Sequence, residues 1–148
     1  MVIRYQQTQL GTLMLVTLVS GAIFFAAMAY TLPDPGRWGL LAGAALLVVV
    51  AWLFSSLTVS VSENELQWSF GPGLLSYRMA LADIAGVSIV RNSPLNGFGV
   101  RMRPGFRLYN VSGLDAVELR LKNGEIRRIG TDDASGLAAV LRRGDVLA

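Results

Sequence analysis

Two long apolar stretches precede a region in which apolar and polar residues alternate. The stretches cover residues 5–33 and 38–62, carry no charge, and are separated by the turn-forming segment 34–37. Each holds about 20 consecutive apolar positions, which is the length a helix needs to cross the hydrocarbon core of a bilayer. The pattern predicts a transmembrane hairpin with helices at about 10–30 and 38–57, followed by a domain at 58–148.

From residue 57 onward, apolar side chains recur at every second position, which is typical of strands with one buried face. A first hairpin turns at Glu63 and Asn64, and the strongest turn signal of the region is Asn123-Gly124, which predicts a type I′ turn. Ile126 and Ile129 fall on opposite parities, so we expect a bulge near Arg127 and Arg128. The predicted strands lie at 57–62, 66–70, 75–81, 84–91, 100–103, 107–111, 117–122 and 125–129.

The chain closes with one amphipathic helix, predicted at about 132–143. Thr131 is the expected N-cap, and Asp132 and Asp133 suit the positive end of the helix dipole. The predicted fold class is therefore a membrane α-helical hairpin plus an α+β soluble domain. About seven antiparallel strands would form a bent sheet or a partly open barrel, and the C-terminal helix would cap it.

Several segments of this region resemble a known family. They are 57–90 with its Gly71-Pro72-Gly73 break, 97–113, 116–119 and 128–132. Together they resemble the bacterial proteins in which a pleckstrin-homology-like (PH-like) domain follows a two-helix membrane hairpin. The resemblance implies a PH-like fold and a membrane-associated binding or scaffolding module. It implies no catalytic residues.

The distribution of basic residues predicts the topology. Arg4 precedes the first helix, Arg37 shares the connecting loop with Asp34, and the remaining Lys and Arg residues follow the second helix. Short basic segments stay in the cytoplasm. We therefore expect a multi-pass protein of the bacterial inner (cytoplasmic) membrane with both termini and the soluble domain in the cytoplasm. Alternatively, Ala27-Met28-Ala29 is a signal cleavage site, which leaves the domain on the same side.

Small residues on the second helix predict a helix contact. Gly39 and Gly43 are four residues apart and Ala44 follows, a spacing that lets two backbones approach closely. The contact could be a homodimer interface. The interpretation we favour is packing against the small residues of the chain's own first helix, at 20–22 and 26–27.

Composition excludes several kinds of chemistry. The sequence has no Cys and no His, which removes thiol nucleophiles, disulfides, Cys/His zinc sites and imidazole bases. No Asp, Glu, Lys or Arg lies within either apolar stretch, which argues against a transporter. We expect no catalytic residues, no cofactor and no metal. Nucleic acid is not an expected partner, because no recognition motif accompanies the pI of about 9.8.

Four arginines form the candidate binding site: Arg91, Arg101, Arg103 and Arg107. Guanidinium groups on one strand face could bind phosphates or lipid headgroups. The alternative is a solvated face whose partners are the carboxylates of Asp83, Asp115 and Glu118.

These residues and the predicted topology indicate a function without turnover. We expect a non-enzymatic interaction or scaffolding domain held against the membrane, with the lipid bilayer and a membrane protein as partners. Binding would use an exposed sheet edge or the face around Arg101. The alternative is recognition of anionic lipid headgroups by the arginines. An enzyme is the third hypothesis, and only the presence of Asp, Ser and Arg supports it.

Overall fold

The computed structural model describes residues 2–145, which form a helical hairpin and a β-rich domain with a C-terminal helix. Single 3₁₀ turns lie at Leu81–Asp83 and Pro94–Asn96. The helices are α1 (Thr12–Ala29), α2 (Gly36–Leu53) and α3 (Ala134–Asp145). The strands are β1 (Ile3–Leu10), β2 (Ser56–Ser62), β3 (Glu65–Phe70), β4 (Leu75–Ala80), β5 (Ile84–Arg91), β6 (Gly99–Arg103), β7 (Phe106–Asn110), β8 (Asp115–Leu121) and β9 (Ile126–Gly130).

The two apolar helices predicted from the sequence are confirmed. Each has 18 residues, and their length and composition would allow them to cross a membrane. At about 1.5 Å per residue each is about 27 Å long. They pack on each other through small side chains, since the buried hairpin residues are Ala22, Ala29, Ala44 and Ala51. Only 11% of each helix is buried, so most of the apolar surface faces outward.

The first strand was not predicted. The sequence pattern places residues 3–10 in the hairpin segment. In the structure they form β1, which pairs antiparallel with β2 from Ile3↔Ser62 to Leu10↔Ser56. Its inward-facing side chains are Tyr5, Gln7 and Gln9, so apolar periodicity did not reveal it. Strands of one sheet therefore flank the hairpin on both sides, β1 before α1 and β2 after α2. The helix α2 ends at Leu53 rather than near residue 57.

The strands form two sheets that enclose the core. One is antiparallel in the order β1-β2-β3-β4, and the other has the order β5-β8-β9-β7-β6. Side chains from both sheets meet in the core, where Trp68 and Tyr109 pack edge to face at 5.1 Å. The expectation of about seven antiparallel strands is corrected: nine strands are present between residues 2 and 145, and β7 pairs parallel with β9.

The β8–β9 hairpin differs from its predicted details. Its pairing runs from Ala116↔Gly130 to Arg120↔Ile126 without a register shift, so the expected bulge near Arg127 and Arg128 is absent. The turn is not type I′ either. Gly124 has φ +89°, but Asn123 does not have positive φ. The Asn123 side chain instead accepts a hydrogen bond from the Glu125 N–H at 2.9 Å.

The C-terminal helix is confirmed, with a different cap. Asp133 Oδ1 accepts a hydrogen bond from the Gly136 N–H at 2.9 Å, so Asp133 is the N-cap, and Thr131 Oγ1 accepts from the Asp133 N–H instead. Buried Leu137 and Leu141 anchor α3 in the core. The helix contacts both β1 and β5, so it lies where the edges of the two sheets approach each other.

A tyrosine on β1 links this helix to the first sheet and makes stability depend on pH. The Tyr5 hydroxyl donates to Asp133 Oδ2 at 3.1 Å. Burial, followed by the hydrogen bond to Asp133, raises the pKa of Tyr5 from 10.0 to about 12. Because the folded-state pKa is raised, the contribution of Tyr5 to stability is complete below pH 10 and is lost as pH rises towards 12.

We therefore expect the stability advantage of the wild type over Tyr5→Phe to shrink between pH 10 and 12. The measurement is the Tm of both proteins in the same detergent at closely spaced pH values. Comparing the two proteins removes the titration of all other groups. A Tm difference that is constant over this range would contradict the assigned role of Tyr5.

Candidate functional site

The structure does not bring the four predicted arginines together. Arg91 ends β5 and Arg101 lies on β6, and these strands are opposite edges of the five-stranded sheet. Arg107 pairs with Met102, whereas Arg101 and Arg103 pair with Leu108 and Phe106. Paired residues share a face and successive residues alternate, so Arg107 points to the face opposite Arg101 and Arg103. Only Arg101 and Arg103 remain as a pair.

Two glycines set the position of this pair. Gly97 (φ +72°) and Gly99 (φ +87°) turn the chain into β6 in a conformation that disfavours other residues. The Arg101 guanidinium packs over Gly97, where a Cβ would lie 2.8 Å from the Arg101 Nη2 atom. The loop is thus shaped around the Arg101 side chain.

Arg101 and Arg103 border a shallow groove of about 220 Å³. Its lining residues are Asn96, Arg101, Met102, Arg103, Phe106 and Leu108. Leu108 is fully buried at its base, and the guanidinium of Arg128 lies 5.2 Å from the Phe106 ring centre. The groove therefore combines an apolar base with a cationic rim.

The charges around this groove are not equally neutralised. Arg128 Nε donates to Glu118 at 2.7 Å and its Nη1 donates to Asn92 at 3.2 Å. Within residues 2–145, Arg101 and Arg103 form no ion pair. The predicted carboxylate partners form no ion pair with them. Glu118 binds Arg128, Asp115 lies opposite Arg91 in the register of β5 and β8, and Asp83 lines a different cleft.

β6 is also an open edge of the sheet. In the part of the chain that the structure describes, its backbone pairs with β7 and with no other element. The opposite edge is covered, because α3 packs on β5 and Arg142 Nη2 donates to the Val87 carbonyl at 3.2 Å. Met102 on β6 is 59% exposed. An unpaired edge of this kind is a template for an added strand.

Of the two glycines predicted to form a helix contact, only Gly43 packs against the other helix of the hairpin. A Cβ on Gly43 would lie 2.9 Å from the Phe25 ring of α1, so Gly43 belongs to the contact inside the hairpin. Gly39 faces open space, with no atom within 4 Å of an added Cβ. The homodimer interpretation therefore has only Gly39 left to support it.

A second group of basic residues was missed by sequence reasoning. Arg78, Lys122 and Arg127 line one cleft together with Asp83, although they come from three separate strands or turns. Arg78 lies on β4 of the first sheet, whereas Lys122 and Arg127 lie on the β8–β9 hairpin of the second, so their proximity could not be seen before the two sheets were placed. No group of three or more His, Cys, Asp or Glu residues that could hold a metal occurs in the described part of the chain.

Comparison of the sequence with protein-family models found no match, and neither did comparison with curated proteins. The PH-like resemblance therefore stays a prediction.

Proposed function

We propose that this chain is a multi-pass protein of the bacterial inner membrane, with both termini and the sheet domain in the cytoplasm. The domain acts without catalysis, as an interaction module that presents the β6 edge to a protein partner. One observation carries the proposal: both ends of the hairpin continue directly into paired strands of a single sheet. A surface held in this way has a defined position relative to the membrane.

Exposure of the hairpin supports its insertion in a bilayer. Large apolar side chains project from both helices, among them Phe24, Val48 and Trp52. A core helix of a soluble protein would bury these groups, and burial of one such side chain is worth about 1.5–3 kcal/mol. Lipid offers the same environment. Cleavage of α1 as a signal is disfavoured, since it would remove β1 from the sheet.

The junction between hairpin and domain supports a fixed orientation. The Gly11 N–H donates to the Ser55 carbonyl at 2.8 Å, directly beside the Leu10↔Ser56 pair. The turn after β3 also packs on the end of α2, where a Cβ on Gly71 would meet the carbonyl oxygens of Trp52 and Leu53. No flexible linker separates membrane and domain.

The PH-like assignment belongs to the same proposal. Two facing sheets and a C-terminal helix packed against their edges support it. The parallel β7–β9 pair departs from the antiparallel arrangement that the short strands and turns of the sequence predict.

The partner that fits β6 is an extended, acidic segment of a membrane protein. Its backbone would pair with the free edge of β6, while carboxylates would meet Arg101 and Arg103. An apolar side chain of the segment would occupy the groove above Leu108. Tethering on one membrane raises the effective concentration of such a partner, so a weak contact suffices.

Site-specific crosslinking at Met102 tests this proposal. A photoreactive residue at Met102, expressed in native membranes, should give one discrete protein adduct that mass spectrometry identifies. The control is the same residue at Arg120, which is exposed but lies on β8, inside the sheet. In the Arg101→Ala/Arg103→Ala background we expect the adduct to fall by about tenfold, since charge-assisted hydrogen bonds are worth about 1.5–3 kcal/mol.

Two outcomes would contradict the β6 proposal. Equal protein adducts at Met102 and Arg120 would show that β6 is not a preferred surface. Adducts with anionic lipid alone, lost in the double variant, would favour recognition of headgroups instead.

A further inference from the structure

The cleft between β4 and the β8–β9 hairpin has the features of a ligand site. Its volume is about 400 Å³, within the range of about 300–1,000 Å³ that is usual for small-molecule pockets. Met79 and Leu121, both buried, form an apolar floor. The other lining residues are Arg78, Asp83, Lys122, Asn123 and Arg127.

Three cations meet one carboxylate around this cleft. Of these cations, only Arg127 has an ion pair between residues 2 and 145, and its contact with Glu125 is long at 3.4 Å. The Arg127 side chain is 18% exposed, and its Nε atom is buried without a hydrogen-bond partner. A buried donor left unpaired costs about 1–3 kcal/mol, more when it is charged. Arg127 Nε therefore lacks an acceptor.

A fourth cation increases this excess of positive charge. Arg107 is paired with Arg127 in the parallel β7–β9 register, so the two side chains project from the same face of adjacent strands. Like charges in such positions repel each other. A bound anion would offset the repulsion and would supply the acceptor that Arg127 Nε lacks.

We propose that this cleft binds a phosphorylated, hydroxyl-bearing small molecule. The guanidinium groups of Arg78 and Arg127 provide forked donors for phosphate oxygens, and Lys122 adds a third charge. Asp83 provides an acceptor for a ligand hydroxyl. The backbone at Asp83 is held in place, because the Lys122 N–H donates to the Asp83 carbonyl at 2.9 Å.

The location of the cleft favours a dissolved ligand over a lipid headgroup. The hairpin joins the sheet at Leu10 and Ser56, and β4 begins at that same end, since Leu75 pairs with Phe70 and Phe70 pairs with Leu57. Met79 lies four residues further, about 13 Å away at 3.3 Å per residue. With the hairpin inserted as proposed above, the cleft lies at the end of the first sheet that is remote from the bilayer.

Calorimetric titration of the full chain in neutral-lipid nanodiscs tests this site, with glucose 6-phosphate as the probe. We expect saturable binding in the wild type and at least about tenfold weaker binding in Arg127→Gln and in Lys122→Gln. Arg78→Gln and Lys122→Gln alter exposed side chains, so they keep the test decisive if Arg127→Gln fails to fold. The matched control is Arg120→Gln, which removes the same charge from the same hairpin and should bind within about twofold of the wild type.

Three results would overturn the assignment of this site. The first is no saturable binding of glucose 6-phosphate at millimolar concentration. The second is equal weakening in Arg120→Gln, which would indicate a general positive field rather than a site. The third is a Lys122→Gln variant that no longer binds added anionic vesicles but still binds glucose 6-phosphate as the wild type does. The Met102 crosslinking experiment is independent of all three.

Discussion

Gly71→Ala is expected to lower the free energy of unfolding by about 2–5 kcal/mol. The residue has φ +47°, and an L-residue there costs about 1–2 kcal/mol. Its Cβ would also lie 2.5 Å from the Leu53 carbonyl oxygen and 2.6 Å from that of Trp52. Both are backbone atoms at the end of α2, so relief requires moving the turn away from the helix, and overpacking of this kind costs about 1–3 kcal/mol.

Gly73→Ala is the matched control for this prediction. Gly73 lies in the same turn with φ +91°, but no atom lies within 4 Å of its Cβ position. It should lose only the conformational term of about 1–2 kcal/mol. The measurement is the thermal unfolding of both variants in the same detergent, in which Gly71→Ala should show the clearly lower Tm. Equal Tm values would show that the turn does not depend on its contact with α2.

Asp133→Ala is expected to cost about 2–3 kcal/mol. The substitution removes the cap of α3, which is worth about 0.5–2 kcal/mol. It also removes the acceptor of the Tyr5 hydroxyl, a hydrogen bond worth about 1 kcal/mol. Chemical denaturation of the purified protein measures the loss.

Asp133→Asn provides the comparison, because Asn caps helices about as well as Asp and keeps an acceptor oxygen for Tyr5. It should cost less than about 1 kcal/mol. In the Asp133→Ala/Tyr5→Phe double variant, the losses of the two single variants should not add fully, because both substitutions break the same Tyr5–Asp133 contact. Additive losses would separate Tyr5 from the cap.

These two sites describe how the hairpin is tied to the rest of the molecule. Gly71 packs the first sheet against the end of α2. β1 leads directly into α1, and its residue Tyr5 contacts Asp133 at the start of α3. Gln9 adds to the second connection, since its Nε2 donates to Asp132 Oδ1 at 2.7 Å and to the Ser112 carbonyl at 2.8 Å. A displacement of either hairpin helix would therefore be transmitted to the sheet domain, which suits the interaction module proposed above.

The candidate binding residues were only partly predictable. Alternation on β6 placed Arg101 and Arg103 on one face, because neighbours along a strand obey a local rule. Arg91 and Arg107 could not be placed, since that required the order of the strands in the sheet and the pairing of β6 with β7. The cleft between β4 and the β8–β9 hairpin could not be predicted for the same reason. Arg78 is distant in sequence from Lys122 and Arg127, which belong to the β8–β9 hairpin, and it meets them only in the folded chain.

Local patterns along the chain were sufficient to predict the two apolar helices, the β-rich region and the C-terminal helix. The first two depend on an apolar run, and the others on the period of apolar positions. Three other features became visible only in the folded chain: β1 joins the sheet, β7 and β9 run parallel, and Asp133 caps α3. Those features depend on contacts such as Tyr5 with Asp133, between residues far apart in sequence. Polar side chains satisfied by such contacts leave no periodic signal, so only the folded chain shows which of them meet.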